Sequence, residues 1–114
     1  MEISDSESKG YRNRLDIVRD ILQVTKFAGS PGSRKTHIMY QANLSYKLLT
    51  RYLKEVLTAG LICKEKSYYV LTEKGNEFLQ FYEDYSSKRK EIEKGINYLN
   101  SGKETLEKML ANEY

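Results

Sequence analysis

The sequence predicts a mainly α-helical head carrying one short β-hairpin, followed by a long amphipathic helix. Three observations predict it: two stretches of helical apolar period separated by Gly- and Pro-bearing breaks, one stretch of strand-type residues with period two, and a heptad kept from Phe78 to Leu110. With 114 residues the chain has room for one modest core and one appended element.

The first helix is expected over Tyr11–Phe27, where Tyr11, Leu15, Val18 and Leu22 form a stripe widened by Ile17, Ile21 and Val24. MEISDSESKG before it, residues 1–10, is polar and acidic and reads as a disordered leader. AGSPGS, residues 28–33, ends the helix. A shorter helix follows from Lys35, with Thr36 as the expected N-cap and Ile38, Met39 and Ala42 facing inward. Asn43 suits a left-handed turn and Ser45 suits the cap of a third helix, Tyr46–Ala59, stopped by Gly60. Leu49, Leu53, Val56 and Leu57 make the buried stripe of that helix, with Leu48 and Tyr52 beside it. Tyr40 and Tyr52 are expected in the core and Tyr46 in solvent.

After Gly60 the alternation of residues 61–66 and the run Tyr68–Leu71 predict a hairpin turning near Lys66-Ser67, and Thr72 then caps a further helix. Phe78, Tyr82, Tyr85, Arg89, Ile92, Ile96, Leu99, Lys103, Leu106 and Leu110 step alternately by four and three. Eight of these ten are apolar or aromatic, so the stripe needs a partner surface, and a second copy of the chain is the simplest one. The dimerisation residues are therefore Phe78, Tyr82, Tyr85, Ile92, Ile96, Leu99, Leu106 and Leu110. Ser101 and Glu104 match a capping box, yet the heptad phase passes through them unshifted, which favours one continuous helix over a hairpin. Three spans result: a leader at 1–10, a head at 11–75 and a coiled-coil helix at 76–114.

Composition narrows function. One Cys (Cys63) excludes a disulfide within the chain and any Cys-based zinc site, and one His (His37) leaves no acid–base or metal constellation. No Gly-rich phosphate loop is present, so the chain reads as non-enzymatic, without cofactor, metal or small-molecule substrate. No apolar stretch reaches the roughly 20 residues of a membrane span, and the expected place is the cytoplasm, at the nucleoid. The net charge of +3 is uneven: residues 11–60 hold nine basic side chains against three acidic, while both ends are mildly acidic. A concentrated positive field is what a polyanion requires.

The order helix, helix, turn, helix, strand, strand, helix is that of a winged helix-turn-helix, whose third helix enters the major groove of DNA. Ser45, Tyr46, Lys47, Thr50, Arg51 and Lys54 stand on or at the start of that helix, Arg34 and Lys35 at the start of the second, and Lys64 and Lys66 on the hairpin. Arg grips guanine with two donors, Lys and Thr meet phosphate oxygens, and helix N-termini attract anions. The stretch KTHIMYQANLSYKLLTRYLKEVLTAGLI, residues 35–62, resembles an archaeal winged-helix family, departing from its pattern at Val56, where the family often has Leu; YYVLTEKGNEFL also matches. Within that family the arrangement is most similar to the small crenarchaeal chromatin proteins of the ten-kilodalton class. The resemblance, closest over residues 34–80, implies double-stranded DNA binding with little sequence preference or as a local regulator, and a homodimer through an antiparallel coil. The rival readings are a sequence-specific transcription regulator with a defined operator, and a protein-interaction adaptor that leaves DNA alone.

Overall fold

The computed structural model describes residues 12–112, so the expected leader and Tyr11 lie outside the described residues. The element order is α1 (Arg14–Ala28), α2 (Lys35–Gln41), α3 (Tyr46–Thr58), β1 (Ile62–Glu65), β2 (Tyr68–Leu71) and α4 (Glu73–Leu110).

Helix α1 starts at Arg14 because Asn13 and Asp16 close a capping box. The Asn13 side chain accepts from the Asp16 N–H at 2.8 Å, and the Asp16 carboxylate accepts from the Asn13 N–H at 3.2 Å. Its inward face is Ile17, Val18, Ile21 and Leu22 with Thr25, whose hydroxyl is satisfied by the Leu22 carbonyl. Leu15, expected on that face, is 38% exposed. The buried set advances by one and three from Ile17, so a residue two places earlier stands on the helix flank.

Helix α2 opens on Arg34, not on Thr36, and no side chain caps it. The cause lies one residue earlier. Ser33 and Tyr69 exchange both backbone hydrogen bonds, at 2.9 and 2.7 Å, adding a one-residue third strand to the hairpin. The chain leaves that bridge extended and turns straight into the helix. Gly32 is needed there: its φ is +122° and a Cβ would stand 2.7 Å from the Tyr69 carbonyl oxygen. Tyr40 is 75% exposed, against expectation. The seven-residue helix buries Ile38 alone, and a residue two places on points roughly 200° away from it.

The turn between α2 and α3 follows the sequence closely. Asn43 takes φ +55° and the Ser45 hydroxyl accepts from the Leu48 N–H at 3.2 Å. The Arg12 guanidinium holds this turn from outside. It donates to the carbonyls of Ala42 (2.7 Å) and Asn43 (2.8 Å) and to the Asp20 carboxylate (2.8 Å), satisfying acceptors that the end of α2 leaves open.

Beyond α3, Gly60 takes φ +79°, and β1 pairs with β2 from Ile62↔Leu71 to Glu65↔Tyr68 around a two-residue turn with Lys66 at φ +59°. Thr72 closes the head. Its hydroxyl donates to the Gly60 carbonyl (2.6 Å) and accepts from the Gly75 N–H (3.0 Å), so one side chain joins the end of α3 to the start of α4. The core gathers Ile21, Leu22, Ile38, Leu49, Val56 and Ile62, with Tyr52 and Tyr69 at its edge and Leu79 from α4 sealing it. Phe78, read from the heptad as a seam residue, packs half-buried against this core.

The chain divides into two compact units between Phe81 and Tyr82. Helix α4 runs through Ser101 and Gly102 without a break, and Thr105 donates to the Ser101 carbonyl at 3.1 Å within the helix. Ile92, Ile96, Leu99, Leu106 and Leu110 on it are all exposed.

Gly75 and Gly102 are predicted to respond oppositely to alanine. A Cβ at Gly75 would run into the Leu61 carbonyl and approach Leu71 Cδ1 to 2.6 Å, whereas one at Gly102 would meet nothing within 4 Å. Gly75→Ala should lose about 1–3 kcal/mol of stability in urea melts, overpacking outweighing helix propensity. Gly102→Ala should gain up to about 1 kcal/mol.

Candidate nucleic-acid interface

Helix α3 is divided cleanly. Leu49, Tyr52, Leu53 and Val56 are buried, while Lys47, Thr50, Arg51 and Lys54 are exposed. This follows from the 3.6-residue period: 47, 51 and 54 return to one face, opposite the row 49, 53 and 56. Among the described residues Lys47 and Lys54 have no ion-pair or hydrogen-bond partner, and Arg51 contacts only the face of Tyr52, 5.1 Å from its centroid. Thr50 turns its hydroxyl proton inward to the Tyr46 carbonyl at 2.9 Å, leaving it chiefly acceptor capacity.

Two cations at the start of α2 are positioned by tyrosines. The Arg34 guanidinium lies 4.9 Å from the Tyr68 ring centroid, and Nη2 donates to the Tyr68 hydroxyl at 3.2 Å. Lys35 Nζ sits 4.5 Å from the Tyr46 ring centroid and 3.3 Å from its hydroxyl. Tyr46 is 65% exposed and the ammonium holds its phenol below the ordinary tyrosine range, by hydrogen bond first and by charge second. Ser45 spends its hydroxyl on the α3 cap, so its contribution is the shape of the helix start. Lys64 lies over Tyr69, 5.6 Å from the centroid, and Lys66 occupies the exposed hairpin turn.

The structure thus brings Arg34, Lys35, Tyr46 and the outer face of α3 into one cationic surface flanked by the hairpin. It does not recruit every basic residue counted in the sequence. Arg12 and Arg19 bind Asp20, and Arg14 pairs with Glu55, which raises the Arg14 pKa further. Those three belong to the architecture of α1. Tyr68 contributes as the platform under Arg34; its place opposite Glu65 in the hairpin register was readable, its partner was not. Thr58, four residues past Lys54, was also missed. With Lys35, Thr50, Leu53, Lys54, Leu57 and Tyr69 it lines an open cleft of about 330 Å3. His37 is exposed and Cys63 is half-buried, and no group of three metal-binding side chains occurs among the described residues. No described helix is long and apolar enough to cross a membrane.

Comparison with known proteins agrees with this architecture. Residues 11–90 match the family model described as winged helix-turn-helix. An uncharacterized protein of Methanocaldococcus jannaschii is 33% identical over 67 residues, which span 58% of this chain and 65% of that relative, just under two thirds of its length. The crystal structure of Sso10a-2, a DNA-binding protein from Sulfolobus solfataricus, superposes with a TM-score of 0.68 at 23% identity, over 79% of this chain and 95% of that one.

Tyr46 should be distinguishable by titration. Its ring resonances should report ionisation below the ordinary tyrosine range, and Lys35→Met should move the Tyr46 midpoint back up. An unchanged midpoint in the variant would remove Lys35 as the cause.

Proposed function

The chain belongs to the winged helix-turn-helix family, and on that premise we propose that it is a non-enzymatic protein that binds double-stranded DNA through α3. The observation that carries this is the row Lys47, Arg51 and Lys54, exposed and without carboxylate partners, beside Arg34 and Lys35. Elsewhere in the head Arg12, Arg14 and Arg19 are balanced by neighbouring carboxylates. A set left unbalanced on one face is suited to phosphates. The similarity to a DNA-binding protein of known structure supports the same reading. Lys47 and Lys54 meet phosphates, Arg51 is the base reader, and Arg34 with the hairpin lysines Lys64 and Lys66 holds the backbone. The protein acts with little sequence preference, as an architectural chromatin component or local regulator in the cytoplasm.

The same proposal has two chains pairing along α4. Tyr85, Ile92, Ile96, Leu99, Leu106 and Leu110 are exposed, an apolar stripe that water disfavours. Direction follows from the two charged seam positions. Parallel, in-register pairing would set Arg89 against Arg89 and Lys103 against Lys103. Antiparallel pairing can set Arg89 against Leu99, Lys103 against Tyr85, Ile92 against Ile96 and Tyr82 against Leu106. It also brings Phe81, 76% exposed, to Met109, 56% exposed. A parallel coil would gain a Lys88–Glu93 rim pair, but such pairs contribute only about 0.2–1 kcal/mol, and two like-charged seam layers cost more. Antiparallel pairing is therefore preferred, each head engaging its own DNA segment.

Fluorescence anisotropy with duplex DNA should show tight binding at low salt that weakens log-linearly as salt rises. Lys47→Ala and Lys54→Ala should each lower the salt slope by about one and weaken all sequences alike, whereas Arg51→Ala should cost about 1–3 kcal/mol on preferred sequences. No binding at low salt would overturn the DNA reading. Light scattering should return twice the 13.3 kDa chain mass, and Ile92→Lys with Ile96→Lys should return the monomer with its head still folded. A wild-type monomer would overturn the coil.

A further inference from the structure

Thr50, Lys54 and Thr58 succeed one another at steps of four, so they line a single strip of α3. That strip borders the cleft shared with Lys35 and Tyr69. Its floor is apolar: Leu53 is 4% exposed, Tyr69 7%, and Leu57 is half-buried. Its rim is cationic and hydroxylic. Lys54 and the Thr58 hydroxyl have no hydrogen-bond partner among the described residues, and Lys35, which also lines the cleft, is held by Tyr46. A surface that only attracts phosphates needs no apolar floor, and one that only buries apolar groups needs no paired ammoniums.

We propose that this cleft binds one nucleotide unit, a phosphate ester with its sugar, either within a DNA strand or as a free nucleoside monophosphate. The phosphate lies between the Lys35 and Lys54 ammoniums and accepts from the Thr58 hydroxyl. The sugar lies on Leu53 and Leu57. A volume of about 330 Å3 is at the lower limit of small-molecule sites and suits one such unit rather than two. The openness of the cleft and the hydration of both ammoniums keep the affinity low, on the order of millimolar. The inference rests on the DNA-binding reading and extends it: free nucleotides and duplex DNA compete for the flank of α3, so DNA occupancy falls as the nucleotide pool rises.

The test uses the full chain at constant ionic strength, because screening alone mimics displacement. Thymidine monophosphate, thymidine and inorganic phosphate are titrated separately and followed by backbone amide resonances. Thymidine monophosphate should saturate, shifting the amides of Thr50, Lys54, Thr58 and Tyr69, and bind at least about fivefold more tightly than inorganic phosphate, which lacks the sugar. It should also displace a labelled duplex. Thr58→Glu, at an exposed helix end, and Lys54→Ala should each lower its affinity at least about fivefold with unchanged thermal melting. Equal affinity for inorganic phosphate, or shifts confined to Lys47 and Arg51, overturns the proposal. A duplex that binds but is not displaced overturns the cleft and leaves the DNA reading standing. Nucleotide binding without duplex binding at any salt overturns the DNA reading and supports the cleft, and binding of neither overturns both.

Discussion

Two backbone hydrogen bonds between Ser33 and Tyr69 join the loop before α2 to the outer strand of the hairpin, and the place of the α2 cations in the candidate surface depends on that join. Ser33 is almost completely buried, so the bonds form away from competing water. Through them the start of α2 is fixed against β2, which sets Arg34 over Tyr68 and brings Lys35 to the edge of the α3 cleft. Without the bridge, the six residues between α1 and α2 would be an ordinary connection and the cations at its end would have no fixed address. Gly32 is part of the same join, since only a residue lacking Cβ can pass so close to the Tyr69 carbonyl.

Charge is sorted as firmly as backbone. On and just before α1 the arginines meet carboxylates: Arg12 and Arg19 at Asp20, Arg14 at Glu55. Such pairs at partly exposed sites add little stability, but they cancel field. At the α2 start Arg34 and Lys35, and on α3 Arg51, meet tyrosine rings instead. A ring steadies an ammonium or guanidinium without neutralising it, so the positive potential survives on that face. Among the described residues, tyrosines 46, 52, 68, 69 and 85 each lie beside a cation in this way, which gives the Tyr-rich composition a physical role.

The readability of this fold in its sequence tracks how local the cause was. The Asn43–Ser45 turn, the Gly60 stop, the Lys66-Ser67 hairpin and the Thr72 cap all arise from residues acting on their own neighbours, and each was legible. Also legible was the outward row on α3, because a thirteen-residue amphipathic helix has an unambiguous period. What was not legible depended on partners distant in sequence. The Ser33 bridge joins residues 36 apart, and it displaced the expected cap at Thr36. Tyr40 was misplaced because a seven-residue helix offers two turns, too few for a stripe to declare its direction. Within the candidate site, the residue types were readable but the pairing of Arg34 with Tyr68 and of Lys35 with Tyr46 was not, since rings and cations carry no sequence mark of which will meet which.

The Arg12 guanidinium gives the helix-turn-helix corner a property that a count of charges would miss. Three separate acceptors, two carbonyls and one carboxylate, converge on one planar group. Lysine would preserve the charge yet present a point where the site requires a fork, so the corner is specified by shape as much as by sign. The angle at which α3 is presented is thereby anchored by a residue outside both helices of the motif, the first of the described residues. Loss of that fork would slacken the corner, while leaving every residue on the α3 surface chemically intact.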